Sequence, residues 1–242
     1  MATTKDAKSD LRKQIKGKLS ALSENDVSEQ SQKAQTLILS LPQYAQAKRL
    51  SIYLSMPKSE AQTDILVQDA LRNGKKVFVP YIHHLSGSKR KIIDMLRLHS
   101  LDEFETGLTS DKWGIPSLRS DSVEGRENAM GGKGVSNGEE PVETHDGEGR
   151  SDEGTLDLIV VPGVAFDEGM NRLGHGAGFY DAYFTRFCRD GTRKPFLDRI
   201  VIVSLCLAEQ LLLRGQEVPT AENDWIVDAL AVGDGRLLTL DD

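Results

Sequence analysis

Apolar residues are spaced along this chain in two different rhythms. Leu11, Ile15, Leu19 and Leu22 recur three or four residues apart, as on one face of a helix, and a second helical stretch runs from about Glu24 to Leu41 and must stop before Pro42. The run RLSIYLS, Arg49 to Ser55, predicts a strand. Thr63 stands where an N-cap would open a further helix, which Asn73 and Gly74 would close, the glycine supplying a left-handed residue. Lys76 to Pro80, Ile93 to Leu98, Leu156 to Val161, Arg199 to Leu205 and Trp225 to Val232 are short apolar runs rich in β-branched residues and predict strands. These runs lack the polar alternation of a half-solvated sheet, so both faces are expected to be covered. The pattern predicts an α/β fold, an open, mostly parallel sheet with helices on both faces, forming a single domain over residues 1–242.

One stretch breaks the rhythm. Between Arg119 and Gly154 stand ten acidic residues against four basic ones, which leaves the rest of a chain of net charge -7 close to neutral. The same stretch is rich in glycine and holds almost nothing large and apolar, too little to offset the entropy of ordering it. A flexible, acidic, glycine-rich insertion at about 119–154 is therefore expected on the surface.

Composition narrows the function. With 38% hydrophobic and 28% charged residues, the chain is neither membrane-embedded nor fibrous nor wholly disordered. No apolar run approaches the roughly 20 residues that span a bilayer. The negative balance supplies no basic field for a nucleic-acid backbone, so neither nucleic acid nor membrane is expected as a partner. Cys188 and Cys206 lack the spacing of a disulfide framework or a zinc site. A reducing, cytoplasmic setting is expected; the basic run Arg12, Lys13, Lys16 and Lys18 would suit a mitochondrial leader, but Asp6 and Asp10 argue against one.

The most informative segment follows the strand LDLIVV. It reads Pro162-Gly163-Val164-Ala165-Phe166-Asp167, then Asn171-Arg172-Leu173-Gly174-His175-Gly176-Ala177-Gly178-Phe179-Tyr180-Asp181. Phe179, Tyr183 and Phe187 follow at helical spacing. A glycine-rich turn that opens a helix directs several N–H groups into one concavity where the helix dipole also favours an anion, which is how phosphate is held. The spacing fits neither the Walker pattern nor the dinucleotide fingerprint, and a merely structural turn is the alternative.

Arg172 to Asp181, with PGVAFD before it, resembles the signature of the 5-formyltetrahydrofolate cyclo-ligase family, also called 5,10-methenyltetrahydrofolate synthetases. Three further pieces fall in the family's order: Lys8-Ser9-Asp10-Leu11-Arg12, Leu54-Ser55-Met56 followed by Glu60 and Thr63, and Glu222-Asn223-Asp224. The resemblance covers the chain outside 119–154. It implies an enzyme that uses ATP and magnesium to convert 5-formyltetrahydrofolate, with or without a polyglutamate tail, to 5,10-methenyltetrahydrofolate, releasing ADP and phosphate. It implies that Lys8 and Arg12, one helical turn apart, clamp the nucleotide together with Arg172, Gly174, His175, Gly176, Ala177, Gly178, Phe179 and Tyr180, and that Arg172, His175 and Tyr180 act in catalysis. Leu54, Met56, Glu60 and Trp113 are implied as folate contacts, with His175, Gly176, Ala177, Gly178 and Phe179 bordering the same substrate. Asp181 and Asp224 are implied as magnesium ligands, a number that suits a cation which completes its shell with water and phosphate oxygens.

The chain departs from the family's best-known members in three places, one of them the long acidic insertion, which has no counterpart in shorter members. Ala177 stands where some members carry lysine, and Phe179 replaces the first tyrosine of a frequent Tyr-Tyr-Asp triplet. His83, His84 and His99 have no ligand-like spacing and are expected to be surface or packing residues. A sugar-phosphate isomerase of related fold and a non-catalytic folate or nucleotide sensor are the alternatives. No dimerisation stripe stands out, so a monomer is expected.

Overall fold

A computed structural model of the chain describes residues 3–111, 114–137, 156–187 and 201–240. Two capping boxes open it. The Thr3 hydroxyl accepts from the Asp6 N–H at the start of α1 (Thr4–Leu19), and the Ser23 hydroxyl accepts from the Asp26 N–H at the start of α2 (Glu24–Leu39), each aspartate answering the cap's own N–H. A short helix α3 (Pro42–Gln46) leads into strand β1 (Arg49–Ile52), and α4 (Asp64–Arg72) leads into β2 (Lys76–His84), which turns back as β3 (Lys91–Leu98). A small ladder joins β4 (Thr109–Ser110) and β5 (Pro116–Ser117). Then come β6 (Leu158–Val161), the hairpin β7 (Ala165–Phe166) and β8 (Arg172–Leu173), helix α5 (Phe179–Phe187), and strands β9 (Val201–Cys206), β10 (Ala229–Val232) and β11 (Leu237–Thr239).

The main sheet has seven strands in the order β11-β10-β9-β6-β1-β2-β3. Its five central strands run parallel, and an antiparallel strand closes each edge. Side chains alternate between two cores. Leu50, Ile52, Leu158 and Val160 pack under α1, α2 and α4, whereas Ile159, Val161, Ile202 and Leu230 pack under α5 through Tyr183 and Phe184. Helices thus cover both faces, as the unalternated strands predict.

The chain leaves β1 toward β2 on one side and returns to β6 on the other. The crevice at the C-terminal ends of β1 and β6 is therefore the point where the winding reverses, the place where open sheets of this kind receive ligands. The loop carrying Glu60 and the loop carrying Gly174 to Gly178 both rise from it.

Three expectations need correction. The stretch 119–137 is not a free loop: Ala129 and Met130 are buried in the second core, the Ala129 N–H donates to Met95 O at 2.9 Å, and the Arg97 N–H donates to Glu127 O at 2.9 Å. This segment lies along the outer edge of β3 and removes an otherwise open strand edge. The rest of the expected insertion, 138–154, lies outside the described residues. Trp225 to Asp228 are not part of the strand, which begins at Ala229, because the backbone there is spent on Asp181, Met170 and Ile202. Thr63 holds the N-cap position of α4, but its hydroxyl donates to Tyr53 O at 2.7 Å instead of capping the helix.

Candidate active site

The loop after β1 is tied down by its own polar groups. The Tyr53 hydroxyl donates to Ala61 O, and the Gln62 amide donates to Met56 O and Glu60 O, while the Gln62 N–H donates to Ser31 Oγ on α2. These contacts carry Glu60 inward, where it is only 4% exposed. One carboxylate oxygen accepts the Met56 N–H at 2.7 Å and the other faces His175 Nε2 at 3.8 Å. Burial pushes the Glu60 carboxyl up to about 7, against the pull of the Met56 N–H. Next to this loop, Leu54 lines a cavity of about 220 Å³ with Pro57, Gln62, Asp64, Phe104 and Pro116. Neither Met56 nor Glu60 lines it, and Trp113 lies outside the described residues, although its neighbour Gly114 borders the cavity.

The loop after β6 is built around Asp167. This buried carboxylate accepts from the Asn171 N–H, the Asn171 amide and the Val218 N–H, which fixes the turn between β7 and β8. The turn delivers Arg172, whose side chain is 2% exposed. Arg172 Nη1 donates to Pro162 O at 3.2 Å, Nη2 donates to Asp181 Oδ1 at 2.9 Å, and the guanidinium lies over the Tyr180 ring. Gly176 (φ 110) and Gly178 (φ 67) take the left-handed conformations that favour glycine, and α5 begins immediately after them. His175, Gly176, Ala177 and Gly178 are exposed, with Phe179 and Tyr180 half-buried behind them. Burial, with the Glu60 charge, pushes the Tyr180 phenol well up, so it stays protonated. Partial burial and the cations Lys16, Arg172 and Arg12 push His175 down to about 4, so its ring is neutral at pH 7.

Helix α1 brings the cations. Arg12 Nε donates to Gly174 O at 2.8 Å and its guanidinium lies over Gly176. Lys8 pairs with Asp224, whose Oδ2 also accepts the Ala221 N–H at 2.7 Å. The next N–H in line, that of Trp225, donates to Asp181 Oδ1 at 3.1 Å. A continuous polar path therefore runs from Lys8 through Asp224, Trp225 and Asp181 to Arg172, joining α1, the segment before β10, α5 and β8.

The implied magnesium set can be tested against this geometry. Among the described residues no group of three or more His, Cys, Asp or Glu is arranged to hold a metal. The two aspartates are adjacent through the Trp225 backbone, and each is paired with a cation. Asp181 Oδ2 and Asp224 Oδ1 nevertheless accept no hydrogen bond from the described residues. Two hard oxygen donors beside an exposed glycine-rich loop suit a cation that binds through one or two carboxylates and completes its shell with water and ligand oxygens, so the residues present fit magnesium.

The sequence reading missed several positions. Lys16 is one turn beyond Arg12 on the same face of α1, and that spacing alone would have found it. Asp167 was visible in PGVAFD without a role. His83 and His99 do have partners: Asp94, across the β2–β3 hairpin, for the first, and Glu103, four residues on, with Arg126, 27 residues away, for the second.

The profile described as the 5-formyltetrahydrofolate cyclo-ligase family matches residues 4–233. The chain belongs to this family. A probable 5-formyltetrahydrofolate cyclo-ligase of Schizosaccharomyces pombe is 31% identical over 92% of this chain and 93% of its own length. The 5-formyltetrahydrofolate cyclo-ligase of Mus musculus is 31% identical over 96% of each chain. In solved structures, the 5,10-methenyltetrahydrofolate synthetase of Aquifex aeolicus superposes with a TM-score of 0.64 at 25% identity, covering 97% of this chain and 93% of that one. The relatives are enzymes, and the fold of the cyclo-ligase family is the open, mostly parallel sheet described above. Within that fold Ala177 leaves the exposed glycine loop without a cation of its own, and the positive charges beside it are Arg12 and Lys16 of α1 and Arg172 of β8.

Proposed function

We propose that the chain catalyses the ATP-dependent conversion of 5-formyltetrahydrofolate to 5,10-methenyltetrahydrofolate, acting as a monomer in the cytoplasm. The observation that carries this reading is the meeting, at the β1/β6 reversal, of an exposed glycine loop, three basic side chains of α1, two adjacent aspartates and a cavity beside Leu54. A formyl oxygen is a poor leaving group; bound ATP with magnesium would supply the phosphoryl group that converts it into a good one. The neighbouring folate nitrogen then attacks the formyl carbon, the carbon–oxygen bond to phosphate breaks, and the nitrogen's proton is lost.

The chain's own residues prepare this step. The N–H groups of the glycine loop, with Lys8, Arg12 and Arg172, neutralise and orient the phosphates, and Asp181 and Asp224 would hold the magnesium. The cavity at Leu54 receives the flat folate ring, with Glu60 as a buried hydrogen-bonding partner for its N–H groups. Neutral His175, 3.8 Å from Glu60, stands between the two ligands as a hydrogen-bonding group, and the departing proton is lost to water. Roles follow exposure: the loop that must meet a phosphate is open, and the groups that orient it are buried.

Thermal shifts with the folate, with ATP plus magnesium and with both test the reading. Stabilisation by each ligand and more by both is expected; an isomerase would ignore the folate, and a sensor would bind both without releasing ADP. Asp181→Ala and Asp224→Ala should each lower turnover at least a hundredfold while the melting curve stays cooperative. Near-native turnover in both variants would overturn the metal assignment.

A further inference from the structure

A second polar cluster lies at the opposite end of α5 from the glycine loop, outside the site. At its centre is Asp94 of β3, which is fully buried. Its carboxylate accepts four contacts: the Ser136 N–H at 2.6 Å, Ser136 Oγ at 3.0 Å, His83 Nε2 at 2.9 Å and Arg186 Nη2 at 3.3 Å. Arg186 belongs to the last turn of α5. It also donates to Ile93 O and, through Nη1, to Ser136 Oγ at 3.1 Å. Its guanidinium lies over the ring of Tyr183, one turn earlier on the same helix.

Burying a charged pair is a poor way to gain stability, because desolvation offsets most of the attraction; an apolar pair would hold the helix as firmly. What directed donors and acceptors do provide is a fixed geometry. Helix α5 has nine residues and so is about 13 Å long, too short to be oriented by its own hydrogen bonds. Its buried residues Tyr183 and Phe184 hold it against the sheet, yet apolar contacts permit small rotations and slides. The two ends are instead pinned by ion pairs: Arg172 to Asp181 in the first turn and Arg186 to Asp94 in the last. The first turn bears Asp181 and receives the glycine loop.

We propose that Arg186 and Asp94 are positioning residues for the phosphate-binding end of α5, and that Ser136 joins the segment 119–137 to the same latch. This rests on the nucleotide role proposed above for that end of the helix. Neither residue touches the site; they act by fixing the register of the short helix that carries it. Errors of about 1 Å in such a helix cost one to two orders of magnitude in the step that it serves.

Calorimetric titration with ATP plus magnesium, melting curves and steady-state kinetics at 20 °C test this on the full chain. Arg186→Met should weaken nucleotide affinity about tenfold and lower kcat/KM for the nucleotide at least as much, with folate affinity within twofold of native. Arg186→Lys, which can still reach Asp94, should recover most of the loss. Combined with Asp94→Asn, Arg186→Met should cost little more than it does alone. Ser136→Ala, a mild change that preserves folding, should shift nucleotide affinity about threefold in the same direction. Lowered melting temperatures with nucleotide affinity and kinetics within twofold of native would overturn the proposal, as would an unaltered Ser136→Ala affinity should Arg186→Met fail to fold. A native protein that binds nucleotide but forms no methenyl product would count against the proposed reaction only, and the affinity comparison would still decide the latch.

Discussion

At neutral pH the Glu60 carboxyl is divided between its two protonation states, because the fold has withdrawn it from water. Its ordinary value of 4.5 rises to about 7, so between those values the unfolded chain loses a proton that the folded chain keeps. Stability from this residue is therefore full below about pH 4.5, declines as pH rises and stays low above 7, a difference of about 3 kcal/mol. Glu60→Gln, which imitates the neutral acid, should be more stable than native at pH 8 by up to that amount and by under about 1 kcal/mol at pH 5. Urea unfolding at the two pH values measures it; a gain of equal size at both would show that desolvation of the charge is not the cause. His175 works in the opposite sense: its depressed value means that the folded state resists protonation, so stability falls as pH drops from about 6.5 toward 4. At Gly176, where φ is 110°, alanine should cost about 1–2 kcal/mol and weaken nucleotide affinity, whereas alanine at Gly17 inside α1 should stabilise slightly. Denaturant melts of the two variants settle whether the loop's conformation or its lack of side chains matters.

Elements differ in how far their sequence disclosed them. Helix α1 shows itself in the spacing of Leu11, Ile15 and Leu19 and α2 in the stretch that stops before Pro42, whereas their capping pairs, Thr3 with Asp6 and Ser23 with Asp26, emerged with the structure; Gly74 ends the α4 region with the left-handed residue its position requires. Strand β2 runs past Pro80 to His84, farther than its apolar run suggests. Beyond Phe78 it pairs only with β3, so the missing proline N–H faces the unpaired side. The segment 119–137 is the clearest failure of composition. Its acids read as solvated charge, yet Glu127 pairs with Arg49, and Arg126, with its side chain only 6% exposed, pairs with Glu103. Partners that lie 23 and 78 residues away leave no periodic trace. Arg126→Met should therefore lower stability by about 3 kcal/mol, since it strands a largely buried carboxylate. Deleting 124–136 should lower the melting temperature by at least about 10 °C through loss of Ala129 and Met130 as well. A melting point unchanged by that deletion would mean that the segment is not part of the core.

For the whole molecule, winding order explains why pieces scattered from Lys8 to Asp224 meet. The central parallel strands direct their C-terminal ends to one edge, and the reversal between β1 and β6 opens a crevice there; α1 crosses it and the segment before β10 closes it. Sequence alone supplied the glycine loop and, by resemblance, both aspartates and the α1 cations. The ion pairs that hold those aspartates, the inward turn of Glu60 and the anchoring of α5 needed the fold, because each joins segments far apart in the chain. In the proposed reaction this edge couples nucleotide cleavage to ring closure of a formylated folate. The coupling is tested most directly by following methenyl absorbance and ADP together after adding 5-formyltetrahydrofolate, with ATP and magnesium present or ATP withheld. One ADP for each methenyl product, and no product without ATP, is the predicted result; product at the same rate without ATP, or none with it, would contradict the account.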